Sequence, residues 1–204
     1  MTNMADIIKL KKEADELMKI PGDTKGSEFL TLRDYIKEKY GEKKVRLLEE
    51  SVKKLGYDLE FDKIDPLKWY PEALNILGIL VAKELFNWTP ADIFKFGNAS
   101  PKFSFGVRLF VKLVSLKKVF EEVGKSWNKF MKVGILEPYI YDEKKKYLIL
   151  RLKNYRFHPI MCHYFAGFFL RFPQYVMKSK KITIKETACP YKGGAWHEYL
   201  VKWE

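Results

Sequence analysis

The hydrophobic pattern of this chain changes at Gly134, and that change limits the folds it can adopt. Before Gly134, apolar residues recur at helical spacing in stretches separated by Pro and Gly. After it, apolar and polar residues alternate over 135–141 and 147–155, which is typical of two strands joined by a hairpin. A further helix and a second pair of strands follow. We therefore predict an α+β fold in which N-terminal helices precede a four-stranded antiparallel sheet, ordered hairpin–helix–hairpin.

Pro and Gly also set the expected ends of individual elements. Gly97 should close the short helix that starts at Pro90, and Pro173 should stop the helix that starts near His158. The helix over residues 72–86 is apolar on all sides and should be central to the core. Residues 22–26 read as a flexible connection. We accordingly divide the chain into an N-terminal helix and connection, 1–25, and a single α+β domain, 26–204.

The net charge of +12 raises the question of an anionic partner. Most lysines stand beside glutamates and aspartates, as on solvated helix faces, so nucleic acid is not expected to be a partner. A nucleic-acid binder would need the positive charge to gather on one face. Lysine is abundant and Gln174 is the only glutamine, a bias that resembles thermophile proteins.

Cysteine usage and apolar segments indicate a cytoplasmic protein with no membrane span. Two cysteines do not make a disulfide framework. The N-terminus lacks the apolar core and cleavage site of a signal peptide. The longest apolar stretch, from Ala73 to Ala82, is about half the length that a bilayer requires.

Catalytic motifs are missing from the sequence, so we do not expect an enzyme. It contains no Gly-x-Ser-x-Gly elbow, no Gly-rich phosphate loop and no His-Glu-x-x-His helix. Glu72, Glu84 and Glu186 are the carboxylates in the most apolar surroundings, where a pKa could be shifted.

The metal-capable side chains all lie near the C-terminus. A zinc site could be built from Cys162, Cys189, His158 and His197. His158 and Cys162 are four residues apart and would share a helix face. The spacing matches no standard zinc motif, however, and a free cysteine often packs as a small hydrophobe. Because His197 alternates with apolar strand residues, we favour packed core residues and predict no metal.

Aromatic residues are abundant enough to line an apolar cavity. The alternative is an aromatic-rich core with no open pocket. The residues that we expect to contact a small apolar ligand are Trp69, Phe105, Arg108, Trp127, Tyr155, Phe165 and Phe169. Arg108 would face an anionic end of the ligand.

Several short motifs occur in a suggestive order from about Gly56 to the C-terminus. They are Trp69-Tyr70-Pro71, Pro90…Gly97, Trp127…Phe130…Gly134, Asn154-Tyr155-Arg156, Gly167 and Cys189…Gly193-Gly194…Leu200-Val201…Trp203. In this order they resemble the heme-NO-binding (H-NOX) and 4-vinyl-reductase-like superfamily. The best match within it is a heme-less bacterial family of unknown function, known from myxobacterial paralogues.

The resemblance implies a sensory or ligand-holding domain, with helices and a curved sheet around an apolar cavity. Heme members hold iron through a histidine on an upstream helix and grip the propionates through a Tyr-x-Ser-x-Arg motif. This chain has no histidine before His158, and residues 154–158 have neither the serine nor the arginine at the position that the motif requires. In vinyl-reductase-like members a second cysteine often follows the first, whereas Trp196 or His197 stands there in this sequence. We therefore expect no heme and no other cofactor.

The expected function is a heme-free sensory domain that holds a small apolar molecule between its central helices and the sheet. It would signal to a partner protein or to a second subunit. One alternative is an interaction or dimerisation module with a filled core. Zinc binding and nucleic-acid binding are further alternatives.

Overall fold

The computed structural model describes residues 4–103, 115–177, 179 and 181–204. The chain divides into two compact units, Met1–Asp92 and Ile93–Glu204. Within the described ranges, no helix has the length and apolar character needed to cross a membrane. The division at residue 25 stays a prediction.

The first unit is mainly helical. Its elements are α1 Met4–Leu17, β1 Asp23–Lys25, α2 Gly26–Tyr40, α3 Glu42–Lys54, β2 Trp69–Pro71 and α4 Glu72–Phe86. The apolar helix α4 lies in the core of this unit, since its residues from Asn75 to Ala82 are all buried. The prediction of a flexible connection over 22–26 is wrong, because β1 pairs antiparallel with β2 and Thr24 lies opposite Tyr70.

The remaining elements confirm the predicted order of hairpin, helix and hairpin. They are α5 Pro90–Phe103, α6 Leu116–Phe130, β3 Ile135–Asp142, β4 Tyr147–Lys153, α7 Ile160–Val176, β5 Ile182–Ala188 and β6 His197–Trp203. The four strands form one antiparallel sheet in the order β3–β4–β6–β5. The α+β class and the four-stranded sheet predicted from the sequence are thus confirmed.

The alternation along the strands separates two faces of the sheet. On β4, Leu148, Leu150 and Leu152 are buried, whereas the residues between them are half-buried. Helices α6 and α7 pack on this inner face, where the ring of Phe169 lies 5.1 Å from that of Tyr199. We call the opposite side, which carries Arg151, the outer face of the sheet.

Gly97 lies within α5 instead of ending it, and its role is close packing. A Cβ atom at Gly97 would lie 1.9 Å from the carbonyl oxygen of Tyr164, and one at Gly167 would lie 2.0 Å from that of Phe94. The two glycines therefore let α5 and α7 cross with their backbones in contact. Asn98 adds a hydrogen bond, since its Nδ2 donates to the carbonyl of Gly167 at 3.1 Å.

Pro173 likewise lies inside α7, which continues to Val176. Proline lacks the backbone N–H that bonds to the preceding turn, so a helix loses a hydrogen bond there. The loss falls in the last turn of α7, where the carbonyl of Pro173 still accepts from the N–H of Met177 at 2.9 Å. The buried proline ring also remains in the core. The prediction that α7 stops at Pro173 is therefore wrong by about one turn.

Candidate metal centre

Four metal-capable side chains converge between α7 and the β5–β6 hairpin. They are Cys162, Glu186, Cys189 and His197, and one ligand atom of each lies within 4.8 Å of those of the others. Cys162 stands in the first turn of α7, Glu186 points inward from β5, and Cys189 follows that strand. His197 begins β6. The two cysteines and the histidine are buried, and Glu186 is half-buried.

The distances within this cluster match tetrahedral zinc. Zn–S bonds of about 2.3 Å and Zn–N bonds of about 2.0 Å place two sulfurs about 3.8 Å apart, and a sulfur and a nitrogen about 3.5 Å apart. The two Sγ atoms are separated by 3.5 Å. Cys162 Sγ lies 3.7 Å from His197 Nδ1, and His197 Nδ1 lies 3.0 Å from Glu186 Oε1. These three distances are compatible with ligands of one ion, and the other donor pairs lie within 4.8 Å.

The two ring nitrogens of His197 face different partners, and this fixes their roles. Nε2 lies 3.1 Å from the carbonyl oxygen of Tyr155, which can only accept, so Nε2 carries a proton. Nδ1 lies 3.0 Å from Glu186 Oε1, so a metal ion would bind there in place of the proton that joins the ring to this carboxylate. A backbone carbonyl that orients the far nitrogen is the usual support of a metal-bound histidine.

The pKa values of Cys162 and Glu186 indicate how the cluster is protonated without an ion and why a cation would stabilise it. Burial, together with the charge of Glu186 and the contact with Cys189, raises the pKa of the Cys162 thiol far above its ordinary range. Burial opposes ionisation of Glu186, but the hydrogen bond and charge of His197, with further contributions from Cys162 and Lys192, leave the pKa of Glu186 below its ordinary value. A divalent cation reverses the thiol preference, since a coordinating thiol is deprotonated outright.

The cluster overlaps the metal set considered from the sequence but differs in one member. The structure brings together Cys162, Cys189 and His197, whereas the Nδ1 of His158 accepts a hydrogen bond from the N–H of Ile160 at 3.0 Å. Glu186 takes the fourth place. The signal for it was present in the sequence, because Glu186 occupies an inward position of β5, two residues after Ile184.

Four of the residues predicted to bind a ligand form one aromatic cluster. Its members, all buried, are Trp127, Tyr155, Phe165 and Phe169. The ring centroid of Phe165 lies 5.6 Å from that of Trp127, 5.0 Å from that of Tyr155 and 5.7 Å from that of Phe169. Because the backbone of Tyr155 also holds His197, this aromatic cluster adjoins the candidate metal centre.

The other predicted ligand residues lie elsewhere. Trp69 belongs to the first unit, where Lys25 Nζ sits 4.0 Å from its ring centroid. Phe105 and Arg108 lie outside the described residues.

A pocket of about 350 Å³ opens beside the metal centre, between the end of β5 and the loop that contains Lys192 and Gly194. Glu186, Thr187 and Lys192 give its lining a polar character.

Comparison with known proteins identifies the fold. No protein-family model matches the sequence, and no curated protein matches it. Among solved structures, an H-NOX protein from S. oneidensis in the Fe(II)NO ligation state has a TM-score of 0.68 at 15% identity, covering 88% of this chain and 99% of that one. The chain has the H-NOX fold.

Two further H-NOX structures agree. A double variant of Tt H-NOX gives a TM-score of 0.64 at 17% identity, over 88% of this chain and 95% of that one. An oxygen-binding H-NOX domain related to soluble guanylate cyclases gives 0.61 at 16% identity, over 88% and 92%. At such identities the H-NOX likeness describes the fold alone.

None of the histidines lies on a helix that precedes the sheet, where the resemblance places the heme ligand. The sequence has three histidines, at positions 158, 163 and 197, and none precedes α7 by more than two residues. Both ring nitrogens of His197 are engaged, the Nδ1 of His158 accepts from the backbone, and His163 is exposed on α7. The histidines therefore stand apart from the helices that precede the sheet in this H-NOX fold.

Proposed function

We propose that this protein is a cytoplasmic, heme-free sensory or ligand-binding domain of H-NOX fold, built on a structural zinc centre. The convergence of Cys162, Glu186, Cys189 and His197 at zinc-ligand distances carries the proposal. This assignment replaces our prediction of packed core residues. The motif order shared with the vinyl-reductase-like proteins supports kinship with the heme-less members of that superfamily.

The donor count favours a structural role for the ion. Four protein ligands complete a tetrahedral zinc site, whereas catalytic sites keep a position open for water. In such a site Cys162 and His197 serve as zinc ligands, so neither is left free to act as a nucleophile or a base. Zinc would tie the start of α7 to the β5–β6 hairpin, and we infer a binding domain without catalytic activity.

The ligand in this proposal is a small apolar molecule held against the aromatic cluster. Trp127, Tyr155 and Phe165 offer aromatic surface, and the backbone of Tyr155 links them to His197. A ligand that displaces these rings would act on the metal centre through that carbonyl. Such a shift could then be read by a partner protein or a second subunit.

The close ring packing also favours a second candidate, an interaction module whose core is filled. The centroids of neighbouring rings in the aromatic cluster are 5.0 to 6.3 Å apart, as in ordinary aromatic cores. Native mass spectrometry of the purified protein separates the two. A co-purifying small molecule supports the ligand-binding domain, and a bare mass that is unchanged by hydrophobic probes supports the filled core.

Metal analysis with an absorption spectrum tests the central proposal. Protein purified from zinc-supplemented cells should contain about one zinc per chain. It should show no Soret band, even after incubation with hemin and passage through a desalting column. A metal content near zero after gentle purification would contradict the zinc centre, and a stable Soret band would contradict the heme-free assignment.

A further inference from the structure

The charge of this protein is divided unequally between its two units. The first unit, Met1–Asp92, contains 16 Lys and Arg against 18 Asp and Glu, a net charge of −2. The second, Ile93–Glu204, contains 22 against eight, a net charge of +14. The whole excess of positive charge thus belongs to the unit that contains the sheet. Charge asymmetry of this kind is typical of binding to a polyanion.

The outer face of the sheet carries two aromatic rings with a guanidinium group between them, and one of these rings, that of Tyr139, is exposed. The Cζ atom of Arg151 lies 3.1 Å from the ring centroid of Tyr139 and 4.7 Å from that of Trp196. Glu198 accepts a hydrogen bond from Arg151 Nε at 2.8 Å, which fixes the guanidinium between the rings. Tyr139 remains 45% exposed, so part of this ring is open to a planar partner.

Positive charge lines the same face beyond this stack. Lys185 lies opposite Leu200, and Lys202 lies opposite Tyr147, so both point to the side that carries Arg151. Both are exposed, and neither forms an ion pair among the described residues. The turn 144–146, three lysines long, closes the β3–β4 hairpin at the Lys202 end. Lys153, by contrast, is paired with Glu137 at 2.8 Å.

We propose that the outer face of the sheet binds single-stranded nucleic acid. Bases would stack on the exposed ring of Tyr139 and on its neighbours, and Lys185 and Lys202 would contact phosphates. Aromatic rings on an open sheet together with cations that follow the backbone are the means by which proteins hold single strands. The interaction needs no particular base sequence, because every base has a face that can stack.

The exposed ring of Tyr139 distinguishes single-stranded nucleic acid from other polyanions as a partner. A duplex keeps its bases stacked inside and would use the lysines alone. An anionic bilayer would likewise be attracted by the charge of the lysines, with no specific need for an exposed ring. A contribution from Tyr139 to affinity is therefore the property that distinguishes single strands.

Fluorescence anisotropy of the full chain with a labelled oligothymidine of about 20 nucleotides tests the proposal, with salt varied from about 0.05 to 0.3 M. The Tyr139→Ala variant should bind about tenfold more weakly with an unchanged salt dependence, because stacking is lost and phosphate contacts remain. Lys185→Ala/Lys202→Ala should lower the slope of log affinity against log salt by about 1.4, since each phosphate contact in a single strand contributes about 0.7.

The matched control is Lys43→Ala/Lys44→Ala, which removes two exposed lysines from α3 of the first unit. It should leave affinity and slope unchanged, and circular dichroism should show that every variant is folded. No binding at the lowest salt would overturn the proposal. So would equal affinity for a duplex with no effect of Tyr139→Ala, or binding to phosphatidylserine vesicles but not to the oligonucleotide.

Discussion

The Cys189→Ala variant should purify without zinc and unfold at a temperature about 10 °C below that of the parent protein. Cys189 supplies a thiolate to the candidate centre, and three ligands hold zinc far more weakly than four. An ion that binds only the folded state stabilises it by about 4 kcal/mol when its free concentration is about 1,000 times the dissociation constant. For a chain of this size, each kcal/mol shifts the melting temperature by about 2–4 °C.

The control for this variant is His163→Ala, which removes a potential metal ligand that is exposed on α7. It should retain full zinc content and the parent melting temperature. A chelator should lower the melting temperature of the parent to that of Cys189→Ala and leave the variant unchanged. If Cys189→Ala keeps its zinc, or melts at the parent temperature without it, the four-ligand centre is wrong.

The Gly167→Ala variant should lose about 3 kcal/mol of unfolding free energy. A Cβ atom there would lie 2.0 Å from the backbone oxygen of Phe94, and backbone atoms cannot rotate aside as a side chain can. The crossing of α5 and α7 must open, and overpacking of this kind costs about 1–3 kcal/mol or more. Helix propensity alone predicts the opposite sign, since alanine gains about 1 kcal/mol over glycine inside a helix.

Chemical denaturation measures this difference, and Gly193→Ala is the control. Gly193 has a φ of +84° and a ψ of 3°, in the left-handed region, with no atom within 4 Å of an added Cβ, so its substitution costs only that conformation, about 1–2 kcal/mol. A loss at Gly167 that does not exceed the loss at Gly193 would mean that the two helices are not in backbone contact. The Gly97→Ala variant should behave as Gly167→Ala does, because its Cβ would meet the backbone of Tyr164.

Periodicity in the sequence was sufficient to predict the sheet but not the helix crossing. The alternation of Leu148, Leu150 and Leu152 depends on neighbours two residues apart, which a sequence pattern records directly. Gly97 was misread because glycine is common both after a helix and at a close approach of two backbones. Only the position of Gly167, far along the chain, distinguishes these roles, and no local pattern contains it.

The candidate metal centre could be predicted only in part, because its members also meet through contacts between distant parts of the chain. Cys162 and His158 share a helix spacing, which made His158 attractive, but His158 lies before α7 begins and caps its first turn. Glu186 was noted only as a carboxylate among apolar residues. Its placement beside Cys189 depends on the irregular pairing between Glu186 and Ala188 at the end of β5, where the strand register shifts. Alternation along β5 turns Glu186 inward, but the bulge that follows it sets the position of Cys189, and no sequence pattern records that bulge.

In the proposed zinc centre, the placement of the four ligands along the chain predicts an order of folding. Glu186, Cys189 and His197 fall within one hairpin, which can close quickly because its contacts are local. Cys162 lies on α7. It reaches the other three ligands only when α7 packs against the hairpin, which closes the chain segment between residues 162 and 189 and costs conformational entropy. We expect nascent chains to capture zinc loosely on the hairpin and to tighten it when α7 docks, so that metal affinity reports the completion of folding.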